Sequence, residues 1–205
     1  MGNIGIINCG ISNLTSIYNA YKFSGIDVSI VSESNQLNKF SHVILPGVGA
    51  FSQGIKNLKE HEFFERILEQ AEQGKPIMGI CLGMQLLSTT GDEFGPTDGL
   101  NLIPGTVKRI PIQSPEFKLP HVGWNDLHIN KSSKLFNKID EGASFYFVHS
   151  FAYSDIDPTH VTGTTDYENP VIAMVEIDNV FGVQFHPEKS QKSGLQLLKN
   201  FAELC

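Results

Sequence analysis

A Gly-x-Cys-x-Gly pattern near the middle of the chain restricts the fold more than any other segment does. It occupies residues 79–83, follows an apolar run at residues 76–80, and leads into a run rich in Leu and Met. Such a strand-to-helix turn lifts a nucleophilic side chain out of a sheet, and its glycines keep a Cβ from colliding with nearby backbone. The pattern predicts a nucleophile elbow that carries Cys81. The alternative is a buried structural thiol, the common state of a lone cysteine.

The first half of the chain alternates between strand-like and helix-like segments. Apolar, β-branched segments at residues 3–8, 27–31, 42–45 and 76–80 are separated by helical periodicity at residues 14–24, 51–58 and 62–73. This alternation is typical of βαβ units. We therefore predict an α/β fold of three layers, with a mainly parallel central sheet, helices on both faces and a small antiparallel extension. A chain of 205 residues fits one domain, residues 1–205.

The second half of the chain has shorter segments. Frequent glycines and prolines in residues 88–117 favour antiparallel hairpins packed on the main sheet, and the aromatic run at residues 144–151 favours a central strand. Residues 161–165, 171–177 and 179–185 have the composition of further strands, and residues 190–204 have the periodicity of a closing helix.

Charge and composition bear on the partners. The net charge of −7 argues against a nucleic-acid surface, because phosphate binding uses clustered Lys and Arg. No apolar run reaches the roughly 20 residues of a membrane span, and the first residues lack the basic region of a secretory signal. Three widely spaced cysteines fit a reducing cytoplasm better than a disulfide scaffold. We therefore expect a cytoplasmic protein that binds neither nucleic acid nor membrane.

A second chemical signature stands near the end of the chain. The last predicted strand delivers His186 and Glu188, separated by one proline. In extended backbone, alternate residues project to the same side, so the carboxylate can orient the imidazole and leave one ring nitrogen for a nucleophile. The alternatives are a surface pair, or a metal site with Cys81. The metal site is disfavoured because closely spaced ligand pairs are absent, and we expect neither a metal nor a cofactor.

Three motifs together resemble one known family. They are Pro-Gly-Val-Gly at residues 46–49, Gly-Ile-Cys-Leu-Gly at residues 79–83 and Gly-Val-Gln-Phe-His-Pro-Glu at residues 182–188. This set is similar to the class I (triad) glutamine amidotransferases. Further segments at residues 83–87, 120–125 and 145–150 resemble the subfamily that works beside a separate cyclase in histidine biosynthesis. One departure is Phe151, where that subfamily often has tyrosine.

The resemblance implies hydrolysis of L-glutamine to glutamate and ammonia through a thioester. It implies a catalytic triad of Cys81, His186 and Glu188, and an oxyanion hole formed by backbone N–H groups. Those groups would come from Leu82, Val48 and Gly49. The residues implied to hold the substrate are Gln85, Gly49, His149, Ser150 and Phe151.

The resemblance also implies a partner. Ammonia would pass to a cyclase subunit of (β/α)8 barrel type in a heterodimer. Candidates for the docking face are the turn at residues 10–13, in particular Asn13, together with Trp124 and Lys189. One alternative is a related glutaminase that supplies ammonia to a synthetase amidating a surface sugar. A non-catalytic binding module on the same fold is disfavoured, because the cysteine, histidine and glutamate are all present.

Overall fold

The structure, a computed structural model, describes residues 2–10 and 13–205. The helices are α1 (Leu14–Phe23), α2 (Phe51–Glu60), α3 (Phe63–Glu72), α4 (Leu82–Leu86) and α5 (Gln191–Leu204). The strands are β1 (Ile4–Ile7), β2 (Val28–Val31), β3 (His42–Gly47), β4 (Ile77–Cys81), β5 (Thr90–Gly91), β6 (Thr97–Asp98), β7 (Thr106–Arg109), β8 (His121–Asp126), β9 (His128–Ile129), β10 (Ser144–His149), β11 (Phe151–Ser154), β12 (Val161–Tyr167), β13 (Asn169–Ile177) and β14 (Val180–Val183).

An eight-stranded sheet forms the centre of the fold. Its strand order is β2-β1-β3-β4-β14-β13-β12-β9. The pairings from β2 through β14 are parallel, and those from β14 through β9 are antiparallel. Every residue of β1, β3, β4 and β14 is buried, which explains their unbroken apolar sequences, because a central parallel strand is covered on both faces. The prediction of a mainly parallel α/β fold is confirmed.

Helices cover both faces of this sheet. One apolar cluster joins α1 and α5 to one face, with Tyr21, Phe181 and Phe201 among its large side chains. A second cluster joins α2, α3 and α4 to the other face around Phe51 and Phe63. None of the helices in the described ranges has the length and apolar character needed to cross a membrane.

The aromatic run at residues 144–151 is not a central strand, so that prediction was wrong. Among the described strands β10 pairs only with β8, in a two-stranded antiparallel ribbon outside the large sheet. Its burial alternates, with Phe145, Phe147 and His149 inside and the residues between them partly exposed. Because one face is uncovered, this strand suits a ribbon. The partly exposed positions are occupied by Ser144, Tyr146 and Val148, and two of these residues are as common in buried strands as the residues that point inward. The alternation was therefore not visible in the sequence.

Residues 88–117 contribute to a third sheet, with strand order β11-β7-β5-β6. The pairing of β5 with β6 is an antiparallel hairpin, as predicted, and β7 pairs antiparallel with the more distant β11. The pairing of β5 with β7 is parallel, because the chain makes the β5–β6 hairpin and then returns to run beside β5 in the same direction.

Candidate active site

Cys81 stands at the turn between β4 and α4. Its backbone has φ 56° and ψ −113°, a conformation that a non-glycine residue adopts only under strain. Glycine is required on both sides of it. A Cβ on Gly83 would lie 1.8 Å from the carbonyl oxygen of Leu45, and one on Gly79 would lie 2.5 Å from the carbonyl oxygen of Gly83. The strand and the helix therefore approach each other closely, and the thiol is raised at the end of the sheet.

His186 and Glu188 form a buried pair at the end of β14. His186 Nδ1 lies 2.7 Å from Glu188 Oε1, and the two side chains are only 6% and 2% exposed. The expectation that extended backbone joins these two residues was wrong, because Pro187–Lys189 form a 3-10 turn. Proline is well suited to the first position of such a turn, since its fixed φ is helical and it lacks an N–H to satisfy.

The environment of His186 favours the imidazolium. Burial lowers the pKa of His186, but interactions with Cys81 and Glu188 raise it more strongly, and the pKa reaches about 9. Its Nδ1 is held by Glu188, whereas Nε2 has no partner in hydrogen-bonding geometry within the described part of the chain. Nε2 is therefore the nitrogen that can exchange a proton with the nearby sulfur or with a bound molecule.

One cavity of about 490 Å³ brings most of the predicted site together. Such a volume lies within the range of small-molecule sites. Glu188 stands behind the ring of His186 and does not line the cavity. The cavity is lined by the loop after β3, the β4–α4 turn, the ends of β10 and β11, and residues beside β5, β8 and β14: Val48, Gly49, Ala50, Cys81, Leu82, Gln85, Glu93, Pro120, Val148, His149, Ser150, Phe151 and His186.

The loop after β3 lies beside the elbow. Gly47 pairs with Cys81 in the parallel register of β3 and β4, and a Cβ on Gly47 would lie 2.9 Å from Leu82 Cβ. Gly49 follows with φ +100°, a value that favours glycine, and Val48 is 45% exposed. The backbone of residues 47–49 therefore passes close to the first residue of α4.

Two side chains of the site were missed in the sequence. Gln184 is fully buried and places its Nε2 3.9 Å from Cys81 Sγ. Its position two residues before His186, just after β14, is the one signal that could have identified it. Glu93 lines the cavity and accepts a hydrogen bond of 2.8 Å from the backbone N–H of Phe51, the first residue of α2. No motif marks Glu93 in the sequence.

A larger cavity, of about 830 Å³, lies between β7, β11 and β13, and none of the predicted site residues lines it. Within residues 2–10 and 13–205, no group of three or more His, Cys, Asp or Glu side chains is arranged to hold a metal ion.

Two of the three candidates for the docking face share a neighbour. Trp124 contacts the ring of Tyr146 edge-on at 6.1 Å between centroids, and Lys189 Nζ lies 5.7 Å from the centre of the same ring. Asn13 is exposed and precedes α1. Ile11 and Ser12, the rest of that predicted turn, lie outside the described residues.

The sequence matches the family described as glutamine amidotransferase class-I over residues 5–204. The chain therefore belongs to the class-I glutamine amidotransferase family, the family that its motifs resemble.

Its relatives point to one branch of the family. The chain is 44% identical to the imidazole glycerol phosphate synthase subunit HisH of Moorella thermoacetica, over 100% of this chain and 96% of that protein. It is 40% identical to the subunit of the same name from Geobacter sulfurreducens, over the full length of both. A solved glutamine amidotransferase shares the fold with a TM-score of 0.76, at 17% identity over 98% of this chain and 99% of the other. PurLQS from Thermotoga maritima has a TM-score of 0.74 at 23% identity, over 98% of each chain.

Proposed function

We propose that this chain is the glutaminase subunit of an imidazole glycerol phosphate synthase. It hydrolyses L-glutamine to glutamate and ammonia with Cys81, His186 and Glu188, and it supplies the ammonia to a separate cyclase subunit. The observation that carries the proposal is the position of the Cys81 thiol on a strained elbow, in the same cavity as an imidazole already held by a buried carboxylate. We also propose that residues 1–205 act as one domain, in keeping with the family match over residues 5–204.

The first half of the reaction forms a thioester. The thiolate of Cys81 attacks the carbon of the side-chain amide, and the carbonyl oxygen becomes an oxyanion. Backbone N–H groups of Leu82, Val48 and Gly49 stabilise this charge, and each such donor typically lowers the activation barrier by about 2.7–4 kcal/mol. His186 Nε2 gives its proton to the amide nitrogen, the C–N bond breaks, and ammonia leaves.

The second half regenerates the enzyme. His186, now neutral, takes a proton from water, and the resulting hydroxide attacks the thioester carbon. The C–S bond breaks, glutamate is released, and the sulfur leaves as a thiolate beside the imidazolium. Glu188 keeps Nδ1 protonated throughout, so Nε2 is always the nitrogen that faces the reacting atoms. The distance of 2.7 Å between Nδ1 and the carboxylate supports this role.

The substrate is held by residues on the remaining walls of the cavity. Gln85, His149, Ser150 and Phe151 line it together with Gly49. Several of them act through backbone atoms. His149 is an example, because its side chain is already bonded to the carbonyl oxygen of Phe151 at 2.9 Å. A cavity of this size accommodates one amino acid.

The fate of ammonia requires a partner. Near neutral pH free ammonia is mostly protonated and unreactive, so a dry path to the acceptor is needed. The named relatives are synthase subunits, which supports a cyclase partner of (β/α)8 barrel type in a heterodimer in the cytoplasm. Exposed apolar side chains support docking on this side: Val48 lines the cavity and is 45% exposed, and Val122 and Trp124 on the neighbouring β8 are 55% and 47% exposed. Asn13 and Lys189 complete the proposed docking face.

The test is Cys81→Ala, assayed for glutamine hydrolysis in complex with the cyclase subunit. We expect glutaminase activity to be lost, while synthesis driven by added ammonium salt is retained because the partner is intact. Cys205→Ala is the matched control, since Cys205 does not line the cavity, and it should keep full activity.

Hydrolysis by Cys81→Ala at the parent rate would show that another group is the nucleophile. Co-purification tests the acceptor separately. Capture of a sugar-amidating synthetase in place of a cyclase would keep the glutaminase assignment and overturn the assignment of the pathway.

A further inference from the structure

A buried chain of hydrogen bonds runs from the backbone of β11 to the sulfur of Cys81. The Gln85 side-chain nitrogen donates to the carbonyl oxygen of Phe151 at 2.9 Å and to Gln184 Oε1 at 3.0 Å. The nitrogen of Gln184 then lies 3.9 Å from Cys81 Sγ. Gln85 and Gln184 are 5% and 0% exposed, so solvent does not compete for these bonds.

The direction of this chain follows from chemistry. A backbone carbonyl can only accept, so Gln85 must turn its NH2 group toward Phe151. The second proton of that group needs an acceptor, and Gln184 Oε1 provides it. Gln184 is therefore fixed with its NH2 group toward Cys81. Reversing the amide of Gln184 would set two NH2 groups against each other and leave both unsatisfied in the interior.

We propose that Gln184 is a further catalytic residue, which donates an N–H to the sulfur of Cys81 and favours its thiolate. The proposal rests on the glutaminase function given above. A thiolate accepts a hydrogen bond far better than a thiol does, because the bond to an ionised acceptor is charge-assisted. The contact of 3.9 Å is long for the neutral thiol and would strengthen as the sulfur ionises. β14 thus delivers both Gln184 and His186 to the same sulfur.

The same chain defines what Gln85 can offer to a substrate. Both protons of its amide are used within the protein, so only Oε1 remains for a ligand. An oxygen acceptor suits the N–H groups of glutamine and disfavours a carboxylate in the same position. Gln184 therefore also positions Gln85, through the bond that holds its amide.

Other titratable groups surround the sulfur and must stay constant in any test. His186, His149 and Glu93 line the same cavity, and Glu188 stands behind the ring of His186. A substitution at Gln184 alters none of these four residues, so a change in the ionisation of Cys81 in an uncharged variant reports the lost N–H.

Two variants separate the donor from the rest of the side chain. Gln184→Glu retains an oxygen acceptor for Gln85 but has no N–H for the sulfur, and Gln184→Met removes both functions at nearly constant volume. The readout is the rate of alkylation of Cys81 by iodoacetamide as a function of pH, followed by peptide mass. We expect the midpoint to rise by about one pH unit in Gln184→Met and by more in Gln184→Glu, where a carboxylate faces the thiolate.

The alkylation rate on the high-pH plateau should be retained in both variants, because the same thiolate reacts once it has formed. Gln70→Met is the matched control. Gln70 is a buried amide on α3, 1% exposed and bonded to Asn38, and its loss should leave the midpoint unchanged.

Glutamine hydrolysis with the cyclase present should fall on the order of tenfold at pH 7 and recover at higher pH. An unchanged alkylation midpoint in folded Gln184→Met would overturn the proposal, even if turnover fell, because Gln184 would then act through packing alone. Alkylation does not need a substrate. Failure of the glutaminase assignment, seen with Cys81→Ala, is therefore distinguishable from failure of this one.

Discussion

Mild acid should destabilise this fold through a pair of buried histidines, His121 and His149. His149 Nδ1 donates to the carbonyl oxygen of Phe151 at 2.9 Å, and its Nε2 lies 3.2 Å from His121 Nδ1. Since His149 Nε2 must accept, His121 donates from Nδ1 and can accept from the amide of Asn125 through Nε2, at 3.4 Å. Both rings are neutral in this arrangement, and protonation of His149 would set two N–H groups against each other.

The size of the stability loss follows from the lowered pKa of one ring, His149. Burial is the main cause that lowers the pKa of His149, and the neighbouring His121 and His186 add to it against a raising effect from the carbonyl of Phe151, so the pKa is about 4. An unfolded chain protonates the same ring near pH 6.5. The unfolded state therefore binds the proton first as the pH falls, and stability is lost between about pH 6.5 and 4. From pH 7 to pH 5 this ring alone accounts for about 2 kcal/mol.

Burial also lowers the pKa of His121 to about 4, so its contribution has the same sign. His186 acts in the opposite direction, because its raised pKa gives stability that is complete below about pH 6.5 and declines as the pH rises through about 9.

The assay compares urea unfolding at pH 7 and pH 5, followed by circular dichroism, for the parent and for His149→Asn. The Asn side-chain nitrogen can replace Nδ1 as donor to Phe151 but cannot be protonated. We expect the loss of stability between the two pH values to be smaller in the variant by about 2 kcal/mol. His61→Gln, which removes an exposed imidazole, is the control and should retain the parent's loss. An identical loss in His149→Asn and the parent would refute the reasoning.

Two further substitutions test the packing that supports the site. Gly83→Ala should cost about 3 kcal/mol or more of unfolding free energy, because its Cβ would meet the carbonyl of Leu45. Gly54→Ala meets only methyl groups at 3.0 and 3.1 Å and should cost far less in the same urea titration. Asn200→Leu should lower the unfolding free energy by about 2 kcal/mol in thermal melts, because the buried carbonyl of Leu135 and the carbonyl of Asn137 lose their donor. Melts of Asn200→Leu that match the parent would contradict this.

The central sheet was predictable because its signals are local. Each of the four central strands is a short, largely apolar run bounded by glycine, proline or polar residues, and full burial leaves no alternation to detect. The helices that follow repeat their apolar residues at helical spacing. The ribbon of β8 and β10 was not predictable in this way. The position of this ribbon outside the large sheet depends on its contacts with segments that are distant in the sequence.

The residues of the site also fall into those with a local sequence signal and those without one. Cys81 and the pair of His186 and Glu188 follow directly from the ends of two strands that pair in the sheet, β4 and β14. The Pro187 turn altered the backbone between His186 and Glu188 but kept them in contact, because the residues are too close in sequence to separate. Partners such as Gln184 for Gln85, at a separation of 99 residues, depend on the three-dimensional register and leave no local pattern.

This difference explains why the sequence alone indicated a reaction but not its electrostatics. The groups that break and make bonds must stand at strand ends, where a sheet can present them, and such positions are marked by turn residues. The groups that set the hydrogen bonding around them are buried amides and neutral imidazoles, such as Gln184 just after β14 and His121 at the start of β8. Their spacing there is that of ordinary core residues. Only the directions of their hydrogen bonds distinguish them. A backbone carbonyl can only accept, so it fixes the orientation of each amide or imidazole along the chain of hydrogen bonds that starts from it.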